Sequence, residues 1–409
     1  MHTNHPYYPF MRRALALAET ARGDTCPNPV VGALLVKDGR VAAEGRHACC
    51  GGPHAEAEAL AQAARRGIDP ADCTLVVTLE PCAHYGKTPP CCEAVFNAGI
   101  KHVVVGLADP TPKACGGAEF LRARGVRVDT GVAAGLCALQ LADFIFQQSS
   151  PLPFITLKLA ATLDGAIATR TGESRWITGP AARARVHELR STVQAVMVGG
   201  NTFRQDNPHL TCRLAAAEAR DQAPYLEFFP GAGRAALPEA AARPQPLAVT
   251  VTEHLPSASA DYYLLQHRAT QTVFLTNAEA AASREADALR ELGAVVIGPP
   301  ADLAAETEAS RLPEAILRCN LTTLRRDYGC CRILCEGGGR LGLFLLEHGL
   351  ARQFELHAAP LVMGDDAAPR LFSGLNPKRL AEALRLRPLL QGRAGEDMIT
   401  LFEASGGRR

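Results

Sequence analysis

Short apolar runs alternate with longer stretches of helical period along the first third of the chain. Val30–Val36 (VVGALLV) is apolar, rich in β-branched residues and followed by Lys37-Asp38-Gly39, so it predicts a strand running into a turn. His54–Gly67 is Ala-rich, polar at its start and stopped by a glycine, which predicts a helix. Thr74–Leu79 (TLVVTL) and His102–Leu107 (HVVVGL) predict two more strands, with a helix over Cys92–Gly99 between them. Strand and helix in alternation predict an α/β layered domain.

The pattern breaks at Gln147–Pro153 (QQSSPLP), where two Ser and two Pro suggest a linker. A second α/β series then opens with Phe154–Ala160. Ala195–Gly200 and Arg332–Gly339 predict strands that run into glycine turns. Between them Leu214–Pro246 is rich in Ala, Pro and Arg and predicts a long surface excursion. Two domains follow, residues 1–150 and 151–409. A chain of 409 residues agrees with that division, because single cores rarely grow past roughly 250–300 residues.

Composition sharpens the picture by exclusion. Hydrophobic residues at 47% and charged residues at 21% exclude a disordered chain or a coiled coil. The net charge of +1 offers no broad attraction to nucleic acid or an anionic membrane, and no long apolar span is present. The N-terminus MHTNHPYYPF lacks the basic and apolar regions of a secretory signal, so a cytoplasmic enzyme is expected. Fourteen cysteines in such a chain read as metal ligands and small buried residues before they read as a disulfide framework.

The first candidate chemistry is His54-Ala55-Glu56 opening a helix, Pro81-Cys82 closing a strand, and Cys91 opening the next helix. One imidazole and two thiolates leave a tetrahedral zinc one open position, as catalytic sites do. Zinc lowers the pKa of its water to about 7, and Glu56 is placed to take the water's proton and return it to a leaving amine. This order of residues is the zinc-deaminase signature. The helix start is expected to help hold Cys91 as thiolate. Cys92 should point away into the core, and Cys49 and Cys50 are not expected to be ligands.

The two thiol ligands stand nine positions apart (91 − 82), wider than the Cys-x-x-Cys of nucleic-acid and nucleoside deaminases. The intervening Ala83–Pro90 carries a His, a Tyr and a Lys, which suits a phosphorylated small molecule. Glu80–Cys91 (EPCAHYGKTPPC), Pro27–Gly32 (PNPVVG), Pro53–Glu56, Lys158–Thr178 and Gly200–Arg213 together resemble the bifunctional deaminase–reductase family of riboflavin biosynthesis. That resemblance covers nearly the whole chain. It implies a cytidine-deaminase-like three-layer domain followed by a dihydrofolate-reductase-like α/β domain, one zinc and NADPH. It also implies that Asn28 and His47 contact the pyrimidine, with His84 and Lys87 near the ribose phosphate. The family's Asp-Pro-Asn-Pro is Asp109-Pro110-Thr111-Pro112 here, and its Ala-Pro-Lys is Ala359-Pro360-Leu361.

The second candidate chemistry is Gly337-x-Gly339-x-x-Gly342, between a predicted strand and a helix, where backbone amides can cradle a pyrophosphate. No acidic residue follows about 20 positions on, which disfavours an ordinary NAD-type unit. The resemblance implies Ala160, Trp176, Thr202, Asp206, Gly338, Gly339 and Gly342 for NADPH. For the substrate it implies Ser174, Arg190, Leu210, Arg213 and Glu336, with the two arginines forking a phosphate. Lys158 and Asp164 are candidates for ordering or protonating the ribosyl group, or for structural ion pairing. Arg183 and Arg185 read as a solvated helix face. Phosphorylated pyrimidines are the expected partners, without nucleic acid or membrane, and a homo-oligomer stays open. Two rival readings are a nucleoside or tRNA deaminase with an accessory domain and a non-catalytic zinc-binding module.

Overall fold

Five strands build the sheet of the first unit. β1 (Gly32–Lys37) and β2 (Arg40–Arg46) form an antiparallel hairpin whose turn residues, Asp38 and Gly39, both have positive φ, as tight hairpin turns require. β3 (Thr74–Leu79) pairs antiparallel with β1, and β4 (His102–Leu107) and β5 (Arg127–Thr130) continue in parallel, in the order β2-β1-β3-β4-β5. Two glycines set the layers. A Cβ on Gly32 would lie 2.1 Å from the Ala14 carbonyl oxygen of α1 (Tyr8–Glu19). A Cβ on Gly45 would lie 2.3 Å from the Ala59 nitrogen of α2 (Ala55–Arg65). Gly45 pairs with Ala33, whose side faces opposite to that of Gly32, so the two helices cover opposite faces of one sheet. That is the expected three-layer arrangement.

The structure is a computed structural model that describes residues 4–85, 89–213, 244–267 and 271–404. The chain parts into two compact units between Ser149 and Ser150. The excursion expected over Leu214–Pro246 lies, but for residues 244–246, outside the described residues.

The second unit holds nine strands in the order β10-β9-β8-β7-β11-β6-β12-β14-β13. β6 (Phe154–Thr162) is near the centre, between β11 (Arg332–Cys335) and β12 (Ala351–Ala359), with β7 (Ala195–Gly199) beyond β11. β8 (Leu247–Val251), β9 (Thr272–Leu275) and β10 (Val295–Ile297) extend the parallel part. β14 (Asp397–Glu403) and β13 (Arg387–Ala394) close it as an antiparallel edge. Parallel strands are covered on both faces, and Ile155, Leu157, Met197, Val249 and Ile333 are accordingly at most 1% exposed. Ligand sites in such sheets form outside the carboxyl ends of the strands. Among the described residues no helix is long and apolar enough to cross a membrane.

Candidate active sites

Three element ends meet in the first unit. His54 is the N-cap of α2, Cys82 follows β3, and Cys91 is the first residue of α3 (Cys91–Asn97). The His54 Nδ1 and the two Sγ atoms lie within 4.8 Å of one another, the sole such metal-ligand group among the described residues. Nδ1 stands 3.2 Å from Cys91 Sγ and 3.6 Å from Cys82 Sγ. Edges of a tetrahedron with metal–ligand bonds of about 2.0–2.3 Å are of this size, so the donor set fits zinc. Glu56, one residue into α2, is 3% exposed, and burial pushes its carboxyl up to about 7.

The hydrogen bond from Cys91 pushes the Cys82 thiol down to about 4, and that bond and burial push Cys91 up, a contest for one proton that a bound zinc would end by holding both sulfurs as thiolates. Cys92 turns into the apolar core at 1% exposure, as expected.

Asn28 and His47 are brought beside the cluster. His47 donates from Nδ1 to the Pro53 carbonyl oxygen at 2.9 Å, which leaves Nε2 to accept from Asn28 Nδ2 at 3.2 Å. Burial lowers the His47 pKa, so the ring stays neutral. Its ring stands edge-on to that of His54, with centroids 5.6 Å apart. His84 follows Ala83 with a buried Nδ1 that has no hydrogen-bond partner. Lys87 lies outside the described residues. The hydroxyl that replaces the family's amide is committed: Thr111 donates from both N and Oγ1 to Asp109 Oδ1.

Glu80 was not singled out by the sequence, although it stands in the Glu-Pro-Cys run. Its carboxylate, 7% exposed, accepts the backbone N–H groups of Asp109, Gly116 and Ala118 at 2.8–3.2 Å. It thereby ties the loop after β4 to the segment that carries Cys82. A lone carboxylate directly after an apolar strand is the signal that could have revealed it.

In the second unit a cavity of about 1920 Å³ opens over the carboxyl ends of the parallel strands. Ala160, Ser174, Trp176, Thr202 and Asp206 line it, as do Arg190, Arg213, Glu336, Gly338 and Gly339. Trp176, 69% exposed, is a wall and not core, with the Arg183 guanidinium 4.6 Å over its ring. Gly338 caps the helix Gly339–Glu347 at φ 39°, and a Cβ there would come within 3.3 Å of Thr202 Oγ1. A Cβ on Gly339 would lie 2.3 Å from the Leu371 carbonyl oxygen. The turn therefore presents bare backbone to the cavity at a helix start, which fits a dinucleotide's phosphates.

Several expectations need correction. Gly342 does not line the cavity: a Cβ there would press on Leu157 and Leu159 at 3.2–3.3 Å, so this glycine lets the helix approach β6. The Leu210 side chain is 2% exposed and packs in an apolar cluster with Val198 and Phe203, leaving only backbone for a ligand. Arg190 does not stand open beside Arg213. Its fork closes on Glu336 at 2.6 and 2.7 Å, and Nη1 donates to the Thr211 carbonyl oxygen. For Asp164 the structural one of its two expected roles is the one seen: it accepts from Thr162 Oγ1 and from the amides of Met363 and Gly364, which hold it well below the usual carboxylate range. Arg185 is not solvated but 5% exposed, with its fork on Glu355. Lys158 lines the cavity, and burial lowers its pKa.

The chain matches the cytidine and deoxycytidylate deaminase zinc-binding region over residues 6–107 and the RibD C-terminal domain over residues 153–399. It is 34% identical over 395 residues to the riboflavin biosynthesis protein RibD of Aquifex aeolicus, covering 96% of this chain and 97% of that protein. Among solved structures it superposes on RibD of Acinetobacter baumannii, form 1, with a TM-score of 0.71 and 30% identity, over 97% of this chain and 98% of that one. A Thermotoga maritima diaminohydroxyphosphoribosylaminopyrimidine deaminase/5-amino-6-(5-phosphoribosylamino)uracil reductase gives a TM-score of 0.74 and 29% identity, over 98% and 99% of the two chains. Both halves are matched in order over almost the full length of these proteins, and the chain belongs to the RibD family of riboflavin biosynthesis proteins.

Proposed function

We propose that the two units catalyse consecutive steps on one phosphorylated pyrimidine, the first unit deaminating and the second reducing. The starting compound is 2,5-diamino-6-ribosylamino-4(3H)-pyrimidinone 5′-phosphate, and the end product is 5-amino-6-(5-phosphoribitylamino)uracil. The observation that carries this reading is the three-atom ligand set of His54, Cys82 and Cys91 with the buried Glu56 beside it, on a chain whose other unit holds a separate cavity with a glycine phosphate turn.

Zinc supplies a Lewis acid that lowers the pKa of its water to about 7. Glu56 takes the proton of the attacking water and returns it to the departing amine; a carboxyl held near neutrality suits both transfers. The Asn28 carbonyl oxygen, which has no hydrogen bond among the described residues, accepts from the pyrimidine's N–H groups. The neutral His47 fixes that amide by accepting from its nitrogen. His84 and Lys87 meet the ribose phosphate.

NADPH supplies the hydride for C1′ of the ribosyl group. The Gly338–Gly339 turn and Thr202 hold its phosphates, with Ala160, Trp176 and Asp206 along the same wall. Arg213 and Ser174 meet the substrate. Glu336 and Arg190 open their mutual fork to the pyrimidine and the phosphate. Lys158 donates to the ribosyl group as it opens.

We place the unit boundary of function near residue 150 and the protein in the cytoplasm, where its fourteen free cysteines suit a reducing compartment. The wide thiol spacing and the second cavity weigh against a nucleoside or tRNA deaminase, and Glu56 beside a three-ligand set weighs against a purely structural zinc. A two-step assay of the full chain tests the reading. Ammonia should appear with zinc and cease with a chelator, and NADPH should then be consumed only on deaminated substrate. Ammonia release that survives metal removal, or NADPH left unused, would overturn the corresponding half.

A further inference from the structure

Two arginine–carboxylate forks flank Lys158 in the second sheet. β6 carries Lys158 and runs between β11 and β12. Just past β11, Glu336 takes both nitrogens of the Arg190 fork. On β12, Glu355 is the register partner of Lys158, and it accepts Arg185 Nε and Nη2 at 3.2 Å each. Both arginines stand on the helix Pro180–Ser191. His357, two residues along β12 and so on the same face, donates from Nε2 to Glu355 Oε1 at 2.9 Å. Because a carboxylate only accepts, Nε2 carries the proton, and the buried Nδ1 is a bare acceptor with no partner.

The forks differ in access. Arg190 and Glu336 line the cavity, and substrate draws on both. Arg185, Glu355 and His357 are 5%, 2% and 0% exposed and do not line it, so no ligand competes for them. Lys158 does line it, and has no hydrogen bond or ion pair among the described residues. Burial works against its charge; Glu336, Glu355 and Asp397 at the start of β14 work for it, and Arg190 works against it. When Glu336 turns to the substrate, Glu355 remains as the fixed counter-charge across the strand pair.

We propose that Glu355, gripped by Arg185 and His357, is the positioning residue that keeps Lys158 a cation on the wall of the reductase cavity. The inference rests on the reductase reading of that cavity. It assigns a functional purpose to a helix position that the sequence suggests is merely solvated.

The test uses the full chain with Glu355→Gln, which keeps the shape and removes the charge. The alkaline limb of reductase kcat/KM should move to lower pH, with kcat/KM at its alkaline end falling about tenfold, as loss of one close counter-charge implies. KM for NADPH should hardly change. Competitive acetylation read by mass spectrometry should show Lys158 reacting at lower pH than in the parent. Arg185→Lys keeps the charge but loses the fork, and should shift both readouts the same way by less. Overlapping pH profiles and labelling curves, with only a lower melting temperature, would make the cluster structural and overturn the proposal. If neither variant folds, labelling of the parent decides: a Lys158 that reacts as a neutral amine at pH 7 overturns it, and one that resists until higher pH supports it. A parent that binds NADPH yet reduces nothing would instead sink the reductase reading, while the labelling still reports on Glu355.

Discussion

The two sites are assembled from different materials. At the first, every candidate ligand stands at or just beyond the end of an element, and the ligand atoms converge with a single buried carboxylate, Glu56, at their side. At the second, long charged side chains reach across a helix–sheet interface: Arg185 to Glu355 and Arg190 to Glu336, partners 170 and 146 positions apart. A metal needs a few fixed donors, and element ends fix them. A substrate with a phosphate and a pyrimidine, beside a dinucleotide, needs extended polar groups, and these must be held by one another until the ligand arrives. The first site should therefore fail abruptly on single substitutions, and the second by degrees.

The largest effect should come from Cys91→Ser. Zinc content measured by metal analysis should drop to a small fraction and ammonia release should cease, while NADPH consumption on already deaminated substrate persists. Full zinc retention would move the ligand elsewhere and dissolve the contrast. Next comes Glu56→Gln, which should keep zinc but slow deamination by about 10²–10⁴-fold, the usual worth of a positioned proton carrier. Near-normal ammonia release would name another group as the base.

At the second site Arg213→Ala should raise the reductase KM for the phosphorylated substrate by about tenfold to a hundredfold, the scale of lost charge-assisted hydrogen bonds. NADPH affinity, measured by titration, should change far less; equal weakening of both would put Arg213 on the dinucleotide. The smallest effect is on stability against acid. His187 and His357 are pushed down to about 4, chiefly by burial, and Glu355 is held down at about 2 by Arg185 and His357 against its own burial. All three bind protons more readily unfolded than folded. The histidine contribution is present above about pH 6.5 and is lost as pH falls toward 4; the Glu355 contribution is present above about pH 4.5 and is lost toward pH 2. Melting of the second unit should weaken from pH 6.5 downward, and His357→Gln should flatten that early part of the decline. A melting temperature constant between pH 6.5 and 4 would deny that the buried charges of this site matter to its stability.

Much of the first site could be read from the chain alone, because its chemistry is local. His-x-Glu at a helix start, Pro-Cys after an apolar strand and Cys at the next helix start each declare a position, and the wide spacing of the thiols declares the loop between them. The strands at Val30–Val36, Thr74–Leu79, His102–Leu107 and Phe154–Ala160 were equally legible, since apolar β-branched runs bounded by turn residues have few other stable uses. Glu80 was overlooked because its three partners are backbone amides, which leave no mark in sequence.

The tertiary structure alone decided which polar groups meet. Arg183 and Arg185 are two positions apart on one helix, yet one lies over Trp176 at the cavity and the other is sealed against Glu355. Helical period fixes that they diverge; only packing on the sheet fixes which of them is buried. The same holds for Leu210, drawn into the core with φ at 53°, and for Gly342, whose missing Cβ serves helix–sheet contact. Sequence determined the elements and the chemistry at their ends, where neighbours along the chain suffice. Pairing, burial and charge state depend on neighbours in space, and those exist only once the layers close.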